Sequence, residues 1–327
     1  MKKKNALLLF LLSAIILVLA ACGTTEDSKG KAEKEKEYKV GILQYVEHPS
    51  LNEATKGFKA ALEQSGLKIK YDEKNAQGDA SNNVTAANNL VGAGNDLIFA
   101  NATPSAIAAQ TATADIPVLF TSVTDAIDAE LITSMEKPGG NVTGTIDTHP
   151  EAIPKTVKFL AEQLNAKKVG MVFNSGEQNS LVQVKLVKQE AKKYNIEIIE
   201  ASVATSADVK QATESLIGKV DSYYIITDNT VVSALSAVLD VANDKKIPVM
   251  VGELDSVKAG GLGAYGFSYY DIGFEAGEMA IQILKDGKKP ADIPAAFPDK
   301  LKFEMNEKTA KTIGLTIKED WKAELVK

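Results

Sequence analysis

From residue 38 onward, short β-rich runs alternate with stretches whose apolar residues recur every three to four positions. Val40-Gly41-Ile42-Leu43, Leu67-Lys68-Ile69-Lys70-Tyr71, Asp96-Leu97-Ile98-Phe99 and Ile116-Pro117-Val118-Leu119-Phe120 read as strands. Between them, Ser50–Gln64, Asp79–Val91 and Thr103–Thr113 carry helical spacing. Strand–helix alternation predicts a parallel sheet with helices on both faces. The order is then written a second time. Val40-Gly41-Ile42 matches Val169-Gly170-Met171, Leu67/Ile69 matches Ile196/Ile198, and Asp79 matches Asp208, each at an offset of 129. Asn101…Ser105-Ala106 matches Asn229…Ser233-Ala234 at 128, and Ile116-Pro117-Val118 matches Ile247-Pro248-Val249 at 131. Apolar triplets are common, but five matches in one order at a nearly constant offset predict two similar α/β lobes, with a period too long for a solenoid.

The expected fold class is therefore α/β, with two doubly wound parallel-sheet lobes joined by about three crossovers. The first crossover falls in Gly139–Pro150 and the second in Gly260–Asp271. A helix over Ile272–Lys285 then returns to the first lobe, and the strand Leu301–Met305 leads to a helix over Asn306–Ile313 on the second. The predicted bounds are 38–145 plus 269–298 for the N-terminal lobe and 146–268 plus 299–327 for the C-terminal lobe. Thin connections across a cleft permit hinge closure.

The N-terminus has a different pattern. Lys2-Lys3-Lys4, an apolar run from Ala6 to Val18 and Leu19-Ala20-Ala21-Cys22 make residues 1–21 a secretory signal. Leu19-Ala20-Ala21-Cys22 resembles a bacterial lipobox, in which the signal is cut before the cysteine and Cys22 receives lipid. Cys22 is the only cysteine, so the body forms no disulfide and no thiolate metal site. Residues 22–37, rich in Thr, Ser, Lys and Glu, cannot bury a core and read as a flexible tether.

Charge narrows the partners. The net charge is −6, and the first 21 residues hold three lysines and no acid, so the rest carries −9. That balance gives no electrostatic footprint for nucleic acid. All 37 basic residues are lysine; without a guanidinium fork, an anionic group must be held in another way.

Ligands of doubly wound sheets bind beyond the carboxyl ends of the strands, so two facing lobes line a cleft with the loops found there. Those loops are Gln44-Tyr45-Val46-Glu47-His48-Pro49, Asn101–Ser105 and Thr121–Asp125 in the first lobe. In the second they are Asn174–Asn179, Thr227–Thr230 and Gly252–Asp255. Ser, Thr, Asn and Asp serve as helix caps singly; their concentration at one end of both lobes marks a binding site.

The lipobox, tether and doubled lobes resemble the substrate-binding lipoproteins of bacterial ABC importers, with the type I periplasmic-binding fold. More narrowly, Val40–Leu51, Ile116–Asp125 and Pro138-Gly139-Gly140-Asn141-Val142-Thr143-Gly144 are similar to the tryptophan/tyrosine ABC transporter substrate-binding family across essentially the whole mature chain. The resemblance implies capture of an aromatic amino acid for a membrane permease by a lipid-anchored, extracytoplasmic, monomeric protein without cofactor.

A free amino acid presents a carboxylate, an ammonium and a side chain, all needing partners once water is excluded. Without arginine, the carboxylate suits a helix N-terminus, where free N–H groups and the dipole favour an anion. Thr103-Pro104-Ser105-Ala106 fits, with Thr103 capping, the Ser105 hydroxyl and the Ser105 and Ala106 amides facing the cleft, and Ser122 and Thr124 adding donors. Asp228 is the first choice for the ammonium, with Glu253 second, although Glu253 also suits a solvated loop. Tyr45 is the expected aromatic wall, whereas Phe173 and Phe267 suit the core. Gln44, Asn174 and Ser175 complete the candidates.

An enzyme is the main competing class. The two histidines, His48 and His149, precede prolines in loops and read as solvated. No metal-spaced cluster, nucleophile elbow or phosphate loop accompanies them, and Gly260-Gly261-Leu262-Gly263 lacks the helix start of a dinucleotide site. A branched-chain amino acid or another small polar solute remains open as ligand, as does a surface adhesin or sensor. Trp321, the one tryptophan, suits packing or surface.

Overall fold

The structure is a computed structural model and describes residues 36–327. The expected signal, Cys22 and nearly all of the tether lie outside the described residues, while Glu37, assigned to the tether, opens the first strand. Among the described residues, no helix is long and apolar enough to cross a membrane.

The first half builds a parallel sheet from β1 (Glu37–Gln44), β2 (Lys68–Asn75), β3 (Leu97–Asn101), β4 (Val118–Val123) and β5 (Val142–Ile146), in the order β2-β1-β3-β4-β5. The connecting helices are α1 (Pro49–Gln64), α2 (Ala80–Gly92) and α3 (Thr103–Ala112). β3, β4 and β5 are buried at every position, and β1 from Val40 onward, as strands covered on both faces must be.

The second half repeats the plan with β6 (Lys168–Asn174), β7 (Glu197–Val203), β8 (Ser222–Ile225), β9 (Val249–Val251) and β10 (Gly263–Gly266). Their order is β7-β6-β8-β9-β10, so each strand has its counterpart five places earlier. α4 (Ala152–Glu162), α5 (Gln178–Lys192), α6 (Val209–Ser215), α7 (Asn229–Ser233), α8 (Leu235–Asp244) and α9 (Leu254–Lys258) surround it. The repeat extends to single hydrogen bonds: Asp96 accepts from the Lys39 amide and Asp221 from the Lys168 amide, both at 2.8 Å.

Three passages join the sheets, at residues 147–151, 267–268 and 297–301. The second leads into α10 (Tyr269–Leu284), which returns to pack along α1. A Cβ on Gly273 would lie 1.9 Å from the Ala54 carbonyl oxygen, and one on Gly57 would lie 2.0 Å from that of Tyr270, so these glycines set the closeness of the two helices. The third leads into β11 (Lys302–Asn306), antiparallel to β10, then α11 (Glu307–Ile313) and a short strand, β12 (Glu324–Val326), that the apolar pattern did not foretell.

The helical segment after β8 breaks at Ala234 into α7 and α8. The Ser233 hydroxyl donates to the Thr230 carbonyl, the acceptor the next helical turn needs, and the Ala234 amide turns to Val231 instead. Trp321 packs in the second lobe's core, its indole N–H donating to Gln163 Oε1 at 2.8 Å. Phe173 and Phe267 are likewise core residues.

Candidate functional site

The C-terminal ends of β1, β3 and β4 face those of β6, β8 and β9, and the seam between them is closed by side chains. Ser50 Oγ, in the first turn of α1, donates to Glu253 Oε2 at 2.6 Å. Gln183 Nε2, from α5, donates to Thr124 Oγ1 at 3.3 Å, and Gln178 reaches Asp128 near the mouth. His48, from the first lobe, lies beside the Asn229 side chain of the second. The cleft is shut, and its polar lining is buried.

On the first lobe, the floor is built around two strained residues. Ala102, between β3 and α3, has φ +91°, and Ser122, at the irregularity near the end of β4, has φ +56°. Non-glycine residues are held in this region only where the surroundings over-determine them, and such residues cluster at ligand sites. The strain has a local use. With Ala102 turned, its amide donates to the Thr121 carbonyl and α3 begins abruptly at the cleft. Pro104 brings no N–H, so the first turn presents the Thr103 and Ser105 amides, which have no acceptor within the helix.

Particular candidates shift accordingly. Ala102, not Thr103, occupies the cap position; Thr103 is the first helical residue, and its hydroxyl accepts from the Thr124 amide at 3.4 Å. The Ser105 hydroxyl donates to Asn83 on α2, away from the cleft, and the Ala106 amide is spent on the Ala102 carbonyl. Gln44 is buried with both ends engaged by its own lobe, at Val46, Asn52 and Thr55. Ser122 Oγ is buried without a partner.

On the second lobe, Asp228 caps α7 through Val231 and also accepts from the Asn174 amide and Ser180 Oγ, both at 2.6 Å. With three donors and 0% exposure it is sealed off, so the first choice for the ammonium is the residue that ties β6, α5 and α7 together. Beside it Glu177 accepts from the Asn229 and Thr230 amides and from both their side chains. Burial and the Glu177 charge raise the Asp228 pKa above the usual carboxylate value. Asn174 is half-buried, its side-chain amide on Thr230 Oγ1 at 2.9 Å. Ser175 is exposed and accepts from Ser202 on β7, so it does not join the buried cluster.

Two further acids meet at the hinge side. Asp147, at the first passage, accepts from Thr124 Oγ1 at 3.2 Å and from the Tyr269 hydroxyl at 2.7 Å. It keeps 8% exposure, unlike Asp228. Glu253, expected in a solvated loop, is buried against Ser50 and Ser256. Burial raises Asp147 to about 6 and Glu253 to about 7. Among the described residues, no lysine comes within ion-pair distance of Asp147, Glu177, Asp228 or Glu253, so four buried carboxylates share one seam without a cation.

Tyr45 stands on the first loop, buried with Leu51, Ala76 and Ala102, and its hydroxyl donates outward to the Gly78 carbonyl at 3.0 Å. Burial, with Glu177 and Asp228 nearby, raises its pKa to about 12. His48, three residues on, is not solvated: burial lowers its pKa to about 4. Its Nδ1, Asn101 Oδ1, Ser122 Oγ, Gln178 Oε1 and Asn179 Oδ1 are buried without partners, and all five lie at the facing strand ends or the first turns beyond them. Unsatisfied polar atoms gathered at one seam mark a place where a polar molecule belongs. Among the described residues, no group of three or more His, Cys, Asp or Glu is placed to hold a metal ion.

The family model for ABC transporter substrate binding proteins matches residues 39–325. The chain belongs to this family. It is 41% identical over 325 residues to the tyrosine-binding protein of Clostridioides difficile (strain R20291), covering 96% of this chain and 93% of that one. The structure of an ABC domain in complex with L-Trp from Streptococcus pneumonia superposes with a TM-score of 0.84 at 34% identity, over 89% of this chain and all of that one. The ligand-free, open structure of a substrate-binding protein with adhesive properties from Clostridium difficile gives only 0.65 at 39% identity, over 89% and 99%. The neighbour nearer in sequence is the farther in shape, and it is the open one. Displacing two rigid lobes lowers overall similarity without altering either lobe, so in overall arrangement the chain is more similar to the L-Trp complex than to the open structure.

His48, Asp147, Glu177, Asn179 and Tyr269 were not among the expected site residues. His48 and Glu177 had a signal: they are 129 apart, the offset of the repeat, and stand at the cap positions of α1 and α5, the helices that follow β1 and β6. Asp147 becomes visible only once the end of β5 is fixed.

Proposed function

We propose that this substrate-binding protein captures a free aromatic amino acid between its lobes and presents it, closed, to a membrane permease. The observation that carries the reading is the pairing of two lysine-free buried carboxylates, Asp147 and Glu253, with the open first turn of α3 in one shut cleft. That pairing suits a small zwitterion. The ligand carboxylate lies on the Thr103 and Ser105 amides, with Ser122 beside it. Thr124 connects this helix start to Asp147, because its amide donates to Thr103 and its hydroxyl to Asp147. An ammonium one bond away from the carboxyl-bearing carbon therefore faces Asp147, with Glu253 behind it. Tyr45 walls the side chain. Glu177 and Asp228 hold the shape of the second lobe.

The tyrosine-binding relative and the L-Trp complex support an aromatic ligand. Lobes 38–145 plus 269–298 and 146–268 plus 299–327 turn about the three passages. Lipidation at Cys22 tethers a monomer outside the cytoplasmic membrane, and closure by ligand is the signal the permease reads. The reading includes no catalytic step and no cofactor.

Thermal denaturation of the chain with each of the twenty amino acids tests this. A ligand at 100 times its Kd stabilises by about 2.7 kcal/mol, so tyrosine, tryptophan or phenylalanine should raise the melting temperature by several degrees. A shift with branched-chain acids alone, or with none of the twenty, overturns the assignment. Cys22→Ser should leave the protein unlipidated and its signal uncut; an unchanged lipoprotein would refute the anchor.

A further inference from the structure

We infer that His48 reads the ring of the ligand: its Nδ1 hydrogen-bonds a polar group on the ligand side chain, favouring a phenol O–H over a plain phenyl ring. The inference rests on the aromatic amino acid reading above and assigns one residue within that site.

His48 stands at the cap position of α1 but makes no side-chain capping bond. Asn229, from the second lobe, is a side-chain neighbour of the imidazole, and one of its two amide hydrogens goes to Glu177 Oε2 at 2.6 Å. Nδ1 is buried without a partner. In the neutral ring it accepts in one tautomer and donates in the other, and a phenol O–H serves either, because it both donates and accepts. The charged groups around His48 are Glu177 and Asp255, and burial outweighs both, so the ring is neutral at pH 7.

Position decides which ligand group meets Nδ1. The carboxylate and ammonium of an amino acid share one carbon, and the Thr103–Thr124–Asp147 connection puts partners for both on the α3 side of the cleft. His48 belongs to the other side, on the loop that also carries Tyr45, the wall for the side chain. A buried polar atom left bare costs free energy, and sites built to bond a substrate O–H reject the analogue without it.

The test measures affinity by calorimetry on the full chain purified in detergent, using L-tyrosine, L-phenylalanine and 4-fluoro-L-phenylalanine, which nearly matches tyrosine in size but has no O–H. The unaltered chain should bind tyrosine at least about tenfold more tightly than either analogue. In His48→Leu the preference should fall to within about twofold, mainly through weaker tyrosine binding, which a purely structural role for His48 would not produce. If 4-fluorophenylalanine binds the unaltered chain within about twofold of tyrosine, or if the preference survives in His48→Leu, the inference is overturned. The first comparison needs no variant and so does not depend on how His48→Leu folds. Failure of all three ligands to bind would instead overturn the aromatic amino acid reading and this assignment with it.

Discussion

Asp147→Asn separates a ligand partner from a structural latch, because the two roles predict opposite effects in the empty protein. Asparagine keeps the shape and can still accept from Thr124 Oγ1, while the Tyr269 hydroxyl can turn to accept from the new amide. What is lost is the charge facing the ligand ammonium. A unit pair about 4 Å apart at an effective dielectric of about 20 attracts by about 4 kcal/mol. Part of that is offset by desolvation, so the net loss should be about 2–3 kcal/mol, or roughly 30- to 150-fold in Kd. In the ligand-free closed protein the sign reverses. Burial raises the Asp147 pKa from 3.8 to about 6, so above pH 6 the ionised group carries a penalty that is relieved as pH falls through that value. At pH 7.5 the penalty approaches 3 kcal/mol, reduced to the extent that empty lobes open and hydrate the carboxylate. Asparagine removes it. Calorimetry at pH 7.5 should therefore show much weaker aromatic amino acid binding, while the ligand-free melting temperature stays level or rises. Affinity within threefold of the unaltered chain, or a ligand-free melting temperature that falls together with affinity, would refute the placement of the ammonium.

Other outcomes follow from the same geometry. Tyr45→Ala should weaken aromatic ligands by about tenfold or more through loss of the ring wall, whereas Tyr45→Phe should change affinity by less than about threefold, since its hydroxyl points outward to Gly78. Ser122→Gly relieves a left-handed backbone and should raise the melting temperature by an amount equivalent to about 1 kcal/mol, while removing an unpaired hydroxyl from the cleft and lowering affinity. Denaturation and ligand titration on one sample check both signs. In the closed form Asp147 sits near 6 and Glu253 near 7, above the values of solvated carboxylates, so closure takes up protons. Without ligand, scattering should show a more compact protein at pH 5 than at pH 8, with compactness lost as pH rises through 6 to 7; with ligand it should be compact at both. An equal radius at both pH values without ligand counts against the coupling.

The doubled architecture was legible because it rests on local patterns. Val40–Leu43 and Val169–Met171 are apolar runs that any strand buried on both faces requires. Asp79, which the repeat pairs with Asp208, caps α2 as its position suggests. The site was legible only as a set of loops. Whether a carboxylate at a strand end caps a helix or faces the cleft depends on which neighbouring donors reach it first. Asp228 gathers its own helix's Val231 and, from two elements distant in sequence, Asn174 and Ser180, whereas Asp147 keeps access to the seam. His48 precedes a proline in a loop, which locally means solvent, yet it is buried with Asn229 and Glu177 of the other lobe beside it. The start of α3 differs in detail from the pattern, since the cap falls on Ala102 and requires a positive φ that an alanine does not advertise.

The placement of the zwitterion is tested most directly by a crystal structure of the chain grown with the aromatic amino acid that most raises its melting temperature. The ligand carboxylate should lie on the Thr103 and Ser105 amides, its ammonium within hydrogen-bond reach of Asp147, and its ring against Tyr45. A ligand lying the other way round, with its carboxylate against the second lobe, or one bound outside the closed seam, would contradict the account.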